Sequence, residues 1–242
     1  MTRNDIVCQF ESYQDAQRLR IKASNRLAAL QRRNEYSRYA IEWLAECKAL
    51  EASLKQTCIS SVETLPVYQD LIDLHAISDA LALPLVCYID IHRANYASNV
   101  WSYAGIATDS EGNAQGRKVG EKINYNPKLR VHLWNLGSSF IKHRSPYKEI
   151  YDNWKGRYRA KREGGVWDKK LYPDARLDKM ARRKMVKIFL EHFWFQWRSY
   201  EGLPTPTPWA FAFFPEEHPN DDYIDKAEFG WPEVSSKIEL QP

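Results

Sequence analysis

The sequence predicts a mostly α-helical protein, and three observations support this class. No Gly or Pro occurs between Ile6 and Cys58, where residues that favour helices dominate. Several later segments carry apolar residues at helical spacing. No segment alternates apolar and polar residues for long enough to require a sheet. We expect a long N-terminal helical or coiled-coil segment at 1–60, a compact helical domain at 61–204, and an irregular acidic, Pro-rich C-terminal tail at 205–242.

The N-terminal segment has an apolar stripe with a period of about 3.5 residues, which is typical of a helix that packs lengthwise on a partner helix. Asn34 interrupts the pattern, so the segment is either two helices or one long kinked helix. The partner is either the same chain, in a helical hairpin, or a second chain, in a coiled-coil homodimer. The stripe consists of Tyr36, Ala40, Trp43, Cys47, Leu50 and Leu54.

The first half of the central domain is predicted to contain short helices. Ser60-Ser61 predicts a break, Pro66 stands near a helix start, and the helix it begins should reach Ile77. Ser78-Asp79 is placed to cap the next helix. A further short helix, at residues 99–104, should end at Gly105. Residues 108–122, which contain three Gly, favour a loop or a hairpin.

The second half of the domain is predicted to contain three longer helices. The first begins at Asn126-Pro127 and the second restarts after Ser145-Pro146. The third, Asp178 to Tyr200, starts with basic residues and finishes almost wholly apolar, as expected for a helix that enters the core. Gly202 should end it, and the three prolines that follow prevent the helix from resuming.

Composition excludes several classes of protein. No apolar run approaches the roughly 18 residues of a membrane span, and the first residues lack the apolar region of a signal peptide. The four Cys have no C-x-x-C spacing and lie in helical or apolar contexts, so we expect buried thiols rather than zinc ligands or disulfides. The six His do not pair with Cys or carboxylates at ligand spacing. We therefore expect a cytoplasmic protein with no metal, no cofactor and no membrane partner.

Charge is separated strongly along the chain. Residues 115–170 contain 15 Lys or Arg and 5 Asp or Glu, whereas residues 201–242 contain 2 and 9. A basic centre interleaved with Tyr and Trp is typical of a protein that binds a phosphate backbone. The alternative is a basic face that docks on the acidic tail of its own chain, and the tail would then mask the basic centre.

Two groups of cations are the candidate nucleic-acid-binding residues, with DNA or structured RNA as the expected partner. Their charges would neutralise phosphates, and exposed rings nearby would stack on unpaired bases, unless those rings belong to the core. The first group is Arg117, Lys118, Lys122, Lys128 and Arg130; the second is Lys155, Arg157, Arg159, Lys161 and Arg162; the rings are Tyr125, Tyr151, Trp154, Tyr158 and Trp167.

Five stretches, in the same order, resemble the C-terminal, transposase-domain region of the DEDD-type insertion-sequence transposases, the group that includes the pilin-gene invertase. They are 11–30 (ESYQDAQRLRIKASNRLAAL), 100–106 (VWSYAGI), 116–134 (GRKVGEKINYNPKLRVHLW), 137–155 (GSSFIKHRSPYKEIYDNWK) and 180–204 (MARRKMVKIFLEHFWFQWRSYEGLP). The resemblance covers residues 10 to 205 piecewise and implies a DNA-binding protein related to a mobile genetic element.

Two departures from that family limit what the resemblance implies. A RuvC-like domain with four acidic metal ligands precedes this region in the family, and we expect that half to be absent here. The family also has G-I-G-P at its first helix hairpin, where backbone N–H groups approach a phosphate. The present sequence has His75-Ala76-Ile77-Ser78-Asp79 there, and the added carboxylate favours a purely structural turn.

The resemblance also implies a candidate nucleophile. The family is thought to use a serine in the loop after its Y-A-G-L element, and Ser110 is the nearest positional match. A serine needs a base or strong electrostatic activation to attack phosphate, and the flanking Asp109 and Glu111 would repel a phosphodiester. The alternative is an ordinary polar loop residue.

Three functions therefore remain open. The first is nucleic-acid binding without autonomous catalysis. The second is a reduced serine transposase or recombinase that acts with a separate partner. The third is a structural or assembly protein, for which the aromatic content and acidic tail are the motivation.

Overall fold

The mostly helical class is confirmed by the computed structural model, which describes residues 2–108, 114–116, 120, 122–206 and 226–234. In these residues the only β pairing is one antiparallel bridge between Thr108 and Ala114. The helices are α1 (Arg3–Arg32), α2 (Arg38–Val62), α3 (Pro66–Asp73), α4 (Asp79–Tyr88), α5 (Ala97–Tyr103), α6 (Pro127–Lys142), α7 (Tyr147–Glu163) and α8 (Asp174–Tyr200), with short 3-10 helices at Ile91–Arg93 and Lys226–Phe229.

The N-terminal segment is two helices that pack against each other in one chain. The Thr2 hydroxyl caps α1 in a capping box with Asp5, and the Ser37 hydroxyl caps α2. Asn34 has a φ of 57° in the turn between the helices. The predicted break at Ser60-Ser61 is wrong, because α2 continues to Val62 while the Ser61 hydroxyl donates to the Thr57 carbonyl one turn earlier.

The turn between α3 and α4 is held by contacts inside the chain. Helix α3 ends at Asp73, earlier than the predicted Ile77. The Asp79 carboxylate accepts from Lys55 Nζ at 2.7 Å and from the Tyr68 hydroxyl at 3.1 Å, and the pKa of Asp79 is lowered by the bond from Lys55. The Ser139 hydroxyl donates to the Ala76 carbonyl at 2.7 Å. The turn therefore joins α2, α4 and α6.

We expect Ala76→Gly to stabilise the protein by about 1 kcal/mol, because Ala76 has a φ of 74° and the left-handed region costs a residue with a Cβ roughly 1–2 kcal/mol. Urea denaturation would measure the gain. Ala52→Gly is the matched control: Ala52 is exposed inside α2, so the same change there should cost about 1 kcal/mol. A loss of stability in both variants would contradict the expectation.

Helix α8 is the centre of the core. It contacts α3, α5, α6 and α7, and most residues of its second half are buried. A cluster of rings fills the space between α6, α7 and α8, with Phe140 stacked on Tyr147 at 4.9 Å between ring centroids. The α8 helix begins at Asp174, four residues before its predicted start.

Two aromatic residues of the C-terminal tail belong to this core. Residues 226–229 form a 3-10 helix, and Phe229 and Trp231 are buried against Tyr147 and Phe189. Trp231 Nε1 donates to the Tyr147 hydroxyl at 2.7 Å. The expected irregular wrap is thus an anchored segment here, since two large aromatic side chains gain burial in a site that α7 and α8 leave open.

The structure bears on two sequence-based expectations, the lack of a membrane span and the state of the cysteines. Within the described part of the chain, no helix is long and apolar enough to cross a membrane. All four cysteines are free; Cys47, Cys58 and Cys87 are buried as predicted, whereas Cys8 is exposed. Burial raises the pKa of the Cys58 thiol to about 11.

Candidate nucleic-acid interface

The end of α5 and the start of α6 are fastened together. The backbone N–H of Asn126 donates to the Tyr103 carbonyl at 2.7 Å, and the Asn126 side chain donates to the Tyr103 hydroxyl at 3.0 Å. The same side chain caps α6 by accepting from the N–H groups of Lys128 and Leu129. Pro127 at the first helical position fits the start of α6.

Gly105 allows Tyr125 to lie against the end of α5. Its φ is +69°, and a Cβ built there would lie 2.5 Å from the Tyr125 ring. Glycine is therefore required twice at this position, once for the backbone conformation and once for the close approach of the ring. The packed Tyr125 forms one side of a surface groove.

The groove lies between α6 and α8 and has a volume of about 490 Å³. Gly137 brings the two helices close together, since a Cβ there would lie 3.1 Å from Val186 and from the aliphatic part of Arg182. The α6–α8 groove has an apolar floor and a cationic rim, and is lined by Ile106, Tyr125, Pro127, Arg130, Val131, Leu133, Trp134, Lys179, Arg182, Arg183 and Val186.

Two arginines on the rim are oriented by aromatic rings. The guanidinium carbon of Arg182 lies 4.1 Å from the centroid of the Trp134 ring, and that of Arg130 lies 5.2 Å from the Tyr125 centroid. Arg182 also donates to the Ser138 hydroxyl at 2.6 Å, and Arg130 donates to the Gln115 carbonyl at 2.9 Å. Both guanidinium groups are therefore held in place at the groove.

Arg183 and Lys187 form a partly buried pair of like charges on α8. Burial lowers the pKa of Arg183, and the neighbouring Arg130 lowers it further, against a smaller opposite effect of Tyr158. Burial likewise lowers the pKa of Lys187 to about 8, and the charges of Arg183 and Lys184 act in the same direction. Among the described residues, no carboxylate forms an ion pair with either side chain. Such a cluster favours the binding of an anion.

The predicted second group of cations lies on α7, where three of the five form ion pairs within the chain. Lys155 Nζ lies 3.0 Å from a carboxylate oxygen of Asp178 on α8. Arg159 and Arg162 lie 3.7 and 3.1 Å from Asp174. These pairs join α7 to the start of α8, so part of the predicted basic surface has a structural role.

The other two members of that group lie over a row of half-buried rings. Arg157 lies 5.1 Å from the Trp154 centroid, and Lys161 Nζ lies 5.5 Å from the Trp167 centroid. Both cations are exposed. The row consists of Trp154, Tyr158, Trp167 and Tyr172, with successive centroids 5.4, 5.6 and 4.5 Å apart. Tyr151, the remaining ring of the prediction, is buried.

The predicted first group is divided by the structure. Arg130 lines the α6–α8 groove, Lys128 forms an ion pair with Glu11 of α1, and Lys122 is exposed. Ser110, Arg117 and Lys118 lie outside the described residues. Only one member of this group is thus brought to the groove by the described structure.

The groove brings in cations of α8 that the sequence-based selection of residues missed. Lys179, Arg182 and Arg183 line it, and Lys187 follows one turn later. The signal was present as the basic first half of a predicted helix, with 7 Lys or Arg and 3 Asp or Glu in residues 171–200. What the sequence lacked was the direction in which these side chains point.

In the part of the chain that the structure describes, no three His, Cys, Asp or Glu side chains lie close enough to hold an ion.

No family model, curated protein or solved structure matches the chain.

Proposed function

We propose that the chain binds nucleic acid and that DNA is its ligand. The main contact surface is the α6–α8 groove together with the adjoining cations of α7. The groove offers the two kinds of contact that nucleic acids use. Its cationic rim would neutralise phosphates, while the rings of Tyr125 and Trp134 would contact sugars or unpaired bases. Trp134, which is 44% exposed, is open to such a contact.

The observation that carries this proposal is the Arg183–Lys187 cluster. Two neighbouring cations in a partly buried site raise the free energy of the folded protein unless an anion offsets them. The described residues supply no carboxylate partner, although α8 carries Asp174 and Asp178 nearby, which pair with Arg162 and Arg182 instead. A bound phosphate would supply the missing negative charge and stabilise both side chains.

The test is the affinity of a double variant, Lys179→Gln/Arg183→Gln, for labelled duplex DNA, single-stranded DNA and folded RNA across a salt series. We expect roughly tenfold weaker binding for each cation removed, which corresponds to a charge-assisted hydrogen bond of about 1.5 kcal/mol. The slope of log affinity against log salt should also fall, by about 0.7–0.9 for each lost phosphate contact.

The matched control is Lys142→Gln/Arg144→Gln, which removes the same charge from exposed positions at the far end of α6. It should change binding little. Equal losses in both double variants would mean that net charge alone drives binding, and the groove would not be the site. No binding of any of the three ligands by the unaltered protein at low salt would refute the proposed function itself.

The relation to transposases stays a prediction. What supports it is that four of the stretches that carry the resemblance meet around this one groove: 100–106 through Gly105, 116–134 through Tyr125, 137–155 through Gly137, and 180–204 through Arg182. Catalysis by Ser110, a homodimer and a cytoplasmic location likewise remain predictions.

A further inference from the structure

The distal halves of α1 and α2, residues 18–50, form an arm that extends away from the core. Its buried side chains are few and small, and none belongs to the main core cluster, whereas the proximal ends of both helices do. From Arg18 to Arg32, the α1 part of the arm is about 21 Å long at 1.5 Å per residue. The buried arm residues are Ala23, Ala40 and Cys47, and the core residues of the proximal ends are Phe10, Tyr13, Cys58 and Val62.

One face of the arm is a row of exposed cations. Residues 18–38 contain seven Lys or Arg and one Glu. Lys22 and Arg26 lie four positions apart on one face of α1, and Arg33, the C-cap residue, follows seven positions later on the same side. All three are exposed, and none pairs with a carboxylate of the described residues. The row leads along α1 to the turn between the helices.

The tip of the arm, residues 32–39, presents two tyrosine rings to solvent. Tyr36 is 81% exposed and Tyr39 is 72% exposed, more than any other large hydrophobic side chain of the described residues. They alternate with Arg33 and Arg38 along the chain. Exposed rings beside cations are the arrangement on which unpaired bases stack.

We propose that the arm binds a single-stranded segment of nucleic acid, with phosphates along the cationic row of α1 and bases stacked on Tyr36 and Tyr39. This inference rests on the proposed function and adds a second contact, on residues that do not line the α6–α8 groove. Self-association of two arms through the same face is disfavoured, because it would bring the two cationic rows together. A single strand complements both the charge and the rings.

The experiment compares Tyr36→Ser/Tyr39→Ser with the unaltered protein on two ligands, a duplex with blunt ends and the same duplex with a single-stranded extension, each made as DNA and as RNA. We expect roughly tenfold weaker binding of the extended ligand and no change for the blunt one. The DNA and RNA versions identify the source of the strand. Tyr96→Ser, at a 50% exposed ring outside the arm, is the matched control and should bind both ligands normally.

If the unaltered protein binds and Lys179→Gln/Arg183→Gln weakens binding, while the tip variant binds the extended ligand normally, the arm inference is overturned and the groove remains. A change of molecular mass in light scattering, from dimer to monomer in the tip variant, would also overturn it, since the tip would then be a contact between copies. A second variant, Lys22→Gln/Arg26→Gln, should lower the salt slope for the extended ligand, and an unchanged slope would count against the cationic row.

Discussion

Replacing Trp231 with alanine is expected to lower the free energy of unfolding by about 3–5 kcal/mol, the range for a large buried aromatic side chain. Trp231 is 3% exposed, and its ring lies 6.0 Å from that of Phe189. Its indole N–H donates to the hydroxyl of Tyr147, which also bonds with His192 Nδ1 at 2.8 Å. The variant loses apolar burial and removes one partner from a buried polar group.

Urea denaturation followed by far-UV circular dichroism would measure this loss. Trp134→Ala is the matched control, because Trp134 is exposed on the groove and its removal should cost far less stability. A loss below about 1 kcal/mol for Trp231→Ala would show that the tail segment does not pack on α8 in solution.

The position of Trp231 also determines how masking by the acidic tail can be tested. Removing residues 205–242 would delete Trp231 and Phe229 together with the acidic residues, so altered nucleic-acid binding could result from loss of the fold. Neutralising Glu216, Glu217, Asp221 and Asp222 in the full chain changes the charge alone. Tighter binding by that variant is the result that the masking hypothesis requires.

Replacing Gly105 with alanine is expected to cost about 2–4 kcal/mol and to weaken nucleic-acid binding as well. The positive φ accounts for roughly 1–2 kcal/mol, and displacement of the Tyr125 ring, 2.5 Å from the added Cβ, accounts for most of the rest. Since Tyr125 forms one side of the groove and orients Arg130, a ring that moves would change the site along with the stability.

Gly165→Ala separates the two contributions. Gly165 has a φ of +78°, and no atom lies within 4 Å of a Cβ built there, so its variant should lose only about 1–2 kcal/mol and bind normally. Thermal denaturation and the affinity for duplex DNA would be measured on both variants. Equal effects on stability and binding would mean that Tyr125 adjusts without cost and that Gly105 is needed only for its backbone conformation.

The class of fold and most of the helices could be predicted from the sequence, because they depend on contacts between near neighbours along the chain. Pro66, Asn126-Pro127 and Gly202 mark element ends through capping and backbone geometry that involve only a few adjacent residues. The separation of charge was equally readable, since it is a property of composition. Errors fell at boundaries such as Ser60-Ser61, where the Ser61 hydroxyl bonds within its own helix.

Which cations are free of ion pairs, and which of them line one groove, depends on how the helices pack. In the sequence, three cations look equivalent to Arg130, yet each forms an ion pair with a carboxylate elsewhere in the chain. Lys128 pairs with Glu11, 117 positions away, and Lys155 pairs with Asp178, 23 positions away. Arg162 pairs with Asp174, 12 positions away across the α7–α8 turn. The groove exists because Gly105 and Gly137 let distant segments approach closely, and Trp231 joins the core from beyond the predicted domain. Such contacts depend on the packing of helices, for which local periodicity specifies a buried face but not the neighbour that covers it.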